Sequence, residues 1–160
     1  MITQERLKEV LFYYPSTGVF IWRVNTRKTK YGQIAGWTDE EGYIHIRVDK
    51  RLYPAHRLAF VYMTGGFPKR GFVDHRNSVP SDNRWVNLRD ASKRLNQENR
   101  RTASSNSKTG LLGASPTKQG FVAHITHKGK CHHLGTFRTA IAAHNAYLAA
   151  KRKLHEGCTI

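Results

Sequence analysis

Four residues near the middle of the chain have side chains that could together perform acid–base and metal chemistry. They are Asp74, His75, Asn87 and Asn96, with eight residues between the two asparagines. The imidazole of His75 can accept a proton near neutral pH. Asp74 and Asn96 offer hard oxygen ligands, which favour Mg²⁺ or a similar cation over zinc. An Asp-His pair alone is more often a surface hydrogen bond than a catalytic group, so the interpretation depends on the whole spaced set.

The sequence around these residues predicts a strand, a long polar loop, a second strand and a helix. A short apolar strand over 72–75 leads into a polar loop over 76–84, and a second short strand covers 86–89. Asp90 or Ser92 can cap the helix that follows. This order of elements is uncommon for so short a segment.

The part of the chain before this segment is predicted to contain several strands and two helices. The individual predictions are a helix within 3–13, strands over 18–23 and 42–48, a turn at 49–50 leading into 51–53, and a helix that begins at Pro54 and ends at Thr64, just before Gly65.

The C-terminal part is predicted to be a small antiparallel sheet followed by one helix. Strands are predicted over 111–114, 120–126 and 131–137, with a hairpin turn at 127–130. Thr139 can cap a helix over about 140–154, and the many alanines of that helix favour close packing against the sheet.

The segment that contains the four residues resembles the HNH, or ββα-metal, nuclease motif, over about residues 54–100. Asp-His closes the first strand, a proline and an Asp-Asn-Arg run occupy the loop, Asn-Leu-Arg forms the second strand, and an asparagine lies on the helix. Residues 53–59 also resemble the stretch that often precedes the motif in phage and intron-encoded members. The chain departs from the family at Asn96, where many members have histidine, and near Ser78, where a glycine is usual.

The resemblance implies a metal-dependent endonuclease that hydrolyses phosphodiester bonds of double-stranded DNA, of the site-specific, nicking, homing type. His75 would be the general base, since its side chain suits proton transfer near neutral pH. Asp74 and Asn96 would hold one Mg²⁺ or Mn²⁺ ion at each active site. Asn87 would pin the loop and orient the imidazole of His75.

Other residues of this segment are given more ordinary roles. Asn83 is interpreted as a turn residue and His56 as a packed histidine on the preceding helix. Three arginines are predicted to contact DNA: Arg76, Arg84 and Arg89.

The C-terminal part, over about residues 109–155, resembles the DNA-binding domain of plant ethylene-response factors, also called the APETALA-type domain. A Leu-Gly-Thr-Phe run followed by an alanine-rich helix carries this resemblance. It implies a three-stranded sheet on one helix, with the sheet in the major groove of DNA. The predicted DNA-contacting residues are Lys118, His124, Lys128, Lys130, His132 and Arg138.

The charge of the chain independently predicts a polyanionic partner. The net charge is +16, of which residues 1–105 carry +9 and residues 106–160 carry +7. The longest strongly apolar run, 58–63, is far too short to span a bilayer, and the N-terminus lacks the apolar core of a signal peptide. We therefore expect no membrane partner and a cytoplasmic protein, in a bacterial or phage-infected cell.

Together these observations predict an α+β protein of two modules. Residues 1–105 form a ββα-metal (HNH) nuclease module, and 106–160 form a three-stranded antiparallel sheet packed on one helix, with the polar stretch 102–108 between them. Double-stranded DNA is the expected partner, with no obligate protein partner. Two alternatives remain open: a non-catalytic, sequence-specific DNA-binding regulator derived from such a nuclease, and a protein that binds structured RNA.

Overall fold

The computed structural model describes residues 1–159 and divides them into two compact units. The first unit is Met1–Lys93 and the second begins at Arg94. The fold is a mixture of small antiparallel sheets and four α-helices, which confirms the α+β class. No helix among the described residues is long and apolar enough to cross a membrane.

The first unit contains two helices and three small sheets. Its elements in chain order are α1 (Gln4–Val10), β1 (Leu11–Tyr14), β2 (Val19–Trp22), β3 (Trp37–Thr38), β4 (Ile44–Val48), β5 (Arg51–Pro54), α2 (Ala55–Thr64), β6 (Phe72–His75) and β7 (Leu88–Ala91). The sheets are β1–β2, β3–β4–β5 and β6–β7, all antiparallel. Their apolar sides and the two helices enclose one core, in which Leu7, Leu11, Ile46, Leu58 and Val61 are fully buried.

Most of the predicted elements of the first unit are present, but the N-terminal helix is shorter than the predicted range. The helix ends at Val10, and Leu11 turns to extended backbone with φ −131° and ψ 148°. The next residues pair with β2, and they alternate between buried and exposed positions. An aromatic run packs well on a half-buried sheet, which explains why tertiary pairing replaced the helix there.

The turn at 49–50 and the two ends of helix α2 follow the prediction to within one residue. Asp49 and Lys50 both have positive φ, 47° and 64°, as a two-residue hairpin turn of the primed type requires. Helix α2 begins directly after Pro54 and ends at Gly65, whose φ of 83° is the left-handed conformation common at helix C-termini.

The second unit contains two helices and one sheet. Its elements are α3 (Lys93–Glu98), whose first residue closes the first unit, β8 (Ala114–Thr117), β9 (Gly120–His127), β10 (Lys130–Phe137) and α4 (Ala140–Leu154). The sheet has the order β10–β9–β8, and α4 packs against it through Ala143, which is fully buried. The hydroxyl of Thr139 caps α4 by accepting from the Ala142 N–H, as expected.

The first C-terminal strand was predicted too early in the sequence. Residues 111–113 form an irregular loop instead, and the strand begins at Ala114. Gly113 has φ +69°, and a Cβ there would lie 2.1 Å from atoms of the Tyr147 side chain. The loop therefore brings its backbone close to α4, which a regular strand with side chains could not do.

The units divide at 93/94, earlier in the chain than the predicted module boundary at 105/106. The C-terminal tail explains this difference because it holds the segment around α3. The Glu98 carboxylate accepts from the backbone N–H of Gly157 at 3.1 Å, and the Thr159 hydroxyl donates to Asn99 at 2.6 Å. The buried ammonium of Lys151 donates to the carbonyl of Arg100.

Candidate active site

Asp74 and Arg89 form a nearly buried ion pair at the centre of the β6–β7 ribbon. They are directly opposite each other in the antiparallel register, so their side chains share one face. Nε of Arg89 lies 2.8 Å and Nη2 2.7 Å from the same oxygen, Oδ2 of Asp74. Arg89 therefore neutralises the carboxylate inside the site and does not present its guanidinium on the outer surface, which departs from its predicted DNA contact.

His75 is the last residue of β6 and is buried. It still pairs with Leu88, and the polar loop begins at the next residue, as the sequence predicts. Its Nε2 lies 3.0 Å from Oδ1 of Asn83. Burial lowers the pKa of His75, while this hydrogen bond and the charges of Asp74 and Asp82 act in the opposite direction. The imidazole is thus favoured in its neutral form, which is the form that accepts a proton.

Asn87 closes the loop through its side-chain amide. Its Oδ1 accepts from the backbone N–H of Asn77 at 3.0 Å, and its Nδ2 donates to Oδ1 of Asn77 and to the carbonyl of Asp82. The amide therefore pins the loop. The imidazole of His75, however, makes its hydrogen bond to Oδ1 of Asn83, not to Asn87, from which a direct orienting contact was expected. Asn87 can act on His75 only through the loop that it holds.

Asn83 is the site residue that the sequence interpretation missed. It was assigned to a turn, yet it is 1% exposed and its amide contacts His75. The run Asp-Asn-Arg between two strands is compatible both with an asparagine exposed in a turn and with one whose side chain is buried, so the local sequence did not distinguish them. Its burial depends on contacts with distant parts of the chain.

Ser78 occupies the loop position where the family usually has glycine, and it adopts the backbone conformation that a glycine would have there. Its φ is +58°, so it adopts the left-handed conformation that a glycine would take more easily. The loop is further held by Asp82, whose carboxylate accepts from Asn77 at 2.7 Å and from Arg84 at 2.6 Å. The hydrogen bond from the Arg84 guanidinium lowers the pKa of Asp82 to about 2, so Asp82 is ionised at neutral pH.

Two further aromatic rings border His75. The ring centroid of His56, in the first turn of α2, lies 5.0 Å from that of His75, and the Tyr43 ring lies 6.1 Å from it. Nδ1 of His56 is buried without a hydrogen-bond partner among the described residues. Burial, followed by the nearby His75, lowers the pKa of His56 to about 3. His56 is therefore a packed histidine, as expected, but it packs against the candidate base.

The same segment of the chain matches a known family. Residues 53–98 match the family model of HNH endonucleases. This confirms the predicted HNH resemblance, which was placed at about 54–100. Neither the curated proteins nor the solved structures contain a match to the chain.

The HNH segment ends in α3, which carries Asn96. Asn96 is exposed and belongs to the second unit, whereas Asp74, His75 and Asn87 belong to the first. Its assignment as a second metal ligand therefore stays a prediction from the sequence. Among residues 1–159, no three His, Cys, Asp or Glu side chains come together as a metal-binding group.

The donors of the HNH segment nevertheless fit a hard divalent cation. Asp74 provides a carboxylate, which two N–H groups of Arg89 hold in place. Mg²⁺ is usually bound by one or two carboxylates, with water and substrate phosphate completing its shell. A single buried carboxylate beside a neutral imidazole suits that mode better than it suits zinc, which prefers several nitrogen or sulfur ligands.

The predicted DNA-contacting residues other than Arg89 are exposed, and those of the second unit do not share one face of its sheet. Arg76 and Arg84 are exposed in the loop between β6 and β7. In the C-terminal sheet, His124 pairs with His133 on the open face, whereas His132 pairs with Ile125, which is buried on the helix-packed face. The remaining basic residues are in or beside turns: Lys118, Lys128, Lys130 and Arg138. Positive charge thus lies at the sheet's turns and not across its open face.

Proposed function

We propose that the protein is a metal-dependent endonuclease that nicks double-stranded DNA, as in homing-type HNH enzymes. The observation that carries the proposal is the pair Asp74 and His75 at the end of β6, within the HNH-matched segment. Both side chains are buried, and each is held by a separate partner, Arg89 and Asn83. Such preorganisation of a carboxylate and a base is what phosphodiester hydrolysis requires.

His75 supplies the proton acceptor. Its neutral imidazole would take a proton from the water molecule that attacks phosphorus. Burial keeps the side chain uncharged, so the base is available at neutral pH. Asp74 would hold the divalent cation, Mg²⁺ or Mn²⁺, with Asn96 as a second oxygen ligand. The bound cation would stabilise the negative charge of the phosphate and of the leaving oxygen.

The net charge of +16 supports a nucleic-acid substrate. We propose that the exposed basic residues at the turns of the second unit contact DNA phosphates. The resemblance of its sequence to the ethylene-response-factor domain supports duplex DNA over structured RNA. Because the open face of the sheet holds few charged side chains, we expect phosphate contacts to dominate its affinity.

A plasmid-nicking assay tests this function. Supercoiled plasmid is incubated with the protein and Mg²⁺, with EDTA, and with His75→Ala. We expect open circles with Mg²⁺ only, and none from His75→Ala. His155→Ala, a histidine substitution in the second unit, is the matched control and should nick normally. Equal nicking by all three proteins would refute the assignment of His75.

One observation favours the alternative of a non-catalytic DNA-binding regulator. The Asp74 carboxylate, which would hold the cation, already accepts two hydrogen bonds from Arg89 through its oxygen Oδ2. A regulator would keep this ion pair permanently and would bind DNA equally with Mg²⁺ and with EDTA. Absence of nicking, together with cation-independent binding to a specific duplex, would establish that alternative.

A further inference from the structure

We propose that Asn83 is the positioning residue that fixes the tautomer of His75, so that Nδ1 is the nitrogen that accepts the proton. The role of His75 as base rests on the function proposed above. The tautomer itself is a property of the free protein.

The contact that carries the inference joins two buried side chains. Nε2 of His75 lies 3.0 Å from Oδ1 of Asn83, and the two residues are 6% and 1% exposed. An amide oxygen can only accept a hydrogen bond, so Nε2 must carry the proton. In a neutral imidazole the other nitrogen, Nδ1, then has the lone pair.

Asn83 is held from the opposite side by the N-terminal part of the first unit. The hydroxyl of Tyr13 donates to the carbonyl of Asn83 at 2.6 Å, across 70 residues of sequence. Gly18 packs so closely that a Cβ there would lie 2.5 Å from the carbonyl carbon of Asn83. Tyr13 is itself 1% exposed and stacks on Phe20, with ring centroids 4.7 Å apart. The core therefore fixes the backbone of Asn83, and this fixes the position from which its side chain reaches His75.

The contact with His75 leaves the other end of the Asn83 amide without a hydrogen bond. Its Nδ2 is buried and has no hydrogen-bond partner among residues 1–159. A buried amide that only stabilised a turn would be expected to satisfy both of its ends. An apolar side chain of similar size would avoid the unpaired N–H, but it would leave the imidazole without an acceptor. The contact with His75 therefore accounts for an amide at this position.

Nitrogen NMR of the metal-free, full-length protein tests the tautomer directly. Long-range proton–nitrogen correlations are recorded at a pH where the imidazoles are neutral, and the His75 signals are assigned by their loss in His75→Gln. Two other histidines provide internal references. Nδ1 of His144 lies 2.8 Å from the carbonyl of Leu112, and Nε2 of His155 lies 2.9 Å from the carbonyl of Thr126. We expect His75 to show the pattern of His155. The pattern of His144 would overturn the proposal.

Substitutions at Asn83 test the positioning role. Asn83→Leu keeps a similar shape and removes the acceptor, so the Nε2–H form should lose its dominance, and kcat for nicking should fall about tenfold or more with little change in KM. Asn83→Asp retains an acceptor oxygen and should keep the Nε2–H form. An unchanged tautomer and kcat in Asn83→Leu would refute the role.

A third variant guards against misfolding of the first. If the signals of His45 and His56, which lie in the first unit with Asn83, show that Asn83→Leu is unfolded, Tyr13→Phe serves instead, because it removes only the hydroxyl that holds the Asn83 carbonyl. It should lower kcat severalfold and leave KM unchanged, and no change in kcat would count against the proposal. If the protein nicks DNA but His75 carries its proton on Nδ1, only this inference is refuted. If His75 carries its proton on Nε2 but the protein never nicks DNA, only the proposed function is refuted.

Discussion

Arg89 directs two N–H groups at a single oxygen of Asp74 from the opposite strand of the β6–β7 ribbon. The relationship makes Arg89 the resident counter-charge of the carboxylate that we assign to the cation. Arginine and cation would therefore compete for, or share, the same buried charge. This predicts that the stability of the protein depends on Arg89 and on Mg²⁺ together.

We expect Arg89→Gln to lower the free energy of unfolding by about 3–5 kcal/mol, because Asp74 would lose its partner for a buried charge. Mg²⁺ should restore part of that loss, and it should stabilise the variant more than the native protein. Urea unfolding with and without Mg²⁺ measures both effects. Arg84→Gln is the control, since the Arg84 side chain is about half exposed and pairs with Asp82; it should cost about 1 kcal/mol or less. Equal losses in the two variants would contradict the special role of Arg89.

The catalytic assignment predicts that His75→Ala lowers the cleavage rate by about a hundredfold or more. DNA affinity should remain, because a neutral side chain contributes little to phosphate binding. Asp74→Ala should abolish cleavage, and a retained near-ultraviolet circular dichroism spectrum would show that the fold is intact. Single-turnover cleavage and filter binding measure the two quantities separately. Cleavage by His75→Ala at a near-native rate would eliminate His75 as the base.

The sequence was sufficient to place Asp74 and His75 at the end of a strand, because an apolar pair is followed directly by a polar loop. It was also sufficient for α2 and α4, whose boundaries depend on local signals at Pro54, Gly65 and Thr139. These features are encoded within a few residues, so a local pattern predicts them.

The parts that the sequence did not predict depend on contacts between distant residues. Asn83 turns inward because Tyr13 and Gly18 hold its backbone. The second strand of the ribbon begins at Leu88, later than expected, because a 3-10 turn at Trp85–Asn87 precedes it and the Trp85 N–H donates to the Pro15 carbonyl at 2.9 Å. No periodicity within the HNH segment encodes these partners.

The low pKa of His56 predicts an acid-sensitive fold. The pKa is about 3 in the folded protein against 6.5 for an ordinary histidine. Above pH 6.5 both folded and unfolded states are neutral at this position and nothing is lost. Below it the unfolded chain binds a proton that the folded chain excludes, so stability should fall by about 1.4 kcal/mol per pH unit down to about pH 3.

The variant His56→Phe tests this source of acid sensitivity. The groups that act on His56 are His75, Arg57 and His45, with the Tyr43 ring packed beside it. Phenylalanine keeps the ring packing and cannot take up a proton, so the slope of stability against pH below 6.5 should decrease. His75, whose pKa is also lowered, should leave a residual slope. Urea unfolding from pH 4 to pH 8 measures it, and identical slopes in both proteins would exclude His56 as the cause.

The single HNH segment predicts that one strand of the duplex is cut at a time. Under single-turnover conditions, supercoiled plasmid should become open circles before any linear product appears. Sedimentation of the protein under the same conditions gives its oligomeric state. Linear product that appears without an open-circle phase, from a dimer, would contradict this prediction.

Targeting to DNA is the last role to be tested, and the structure determines how. Ending the chain near residue 102 would remove the tail that holds Glu98 and Asn99, so the loss of the second unit would also disturb α3. Single substitutions in the full-length protein avoid this problem.

We expect Lys128→Ala, at the β9–β10 turn, to weaken binding to cognate and scrambled duplexes alike and to reduce the slope of log K against log salt by about 0.9. Lys153→Ala, an exposed lysine in the last turn of α4, is the charge-matched control and should leave the slope unchanged. Site preference should remain in both variants, because phosphate contacts position the protein and base contacts specify the sequence. Equal slopes for Lys128→Ala and the native protein would show that this turn of the second unit does not contact DNA.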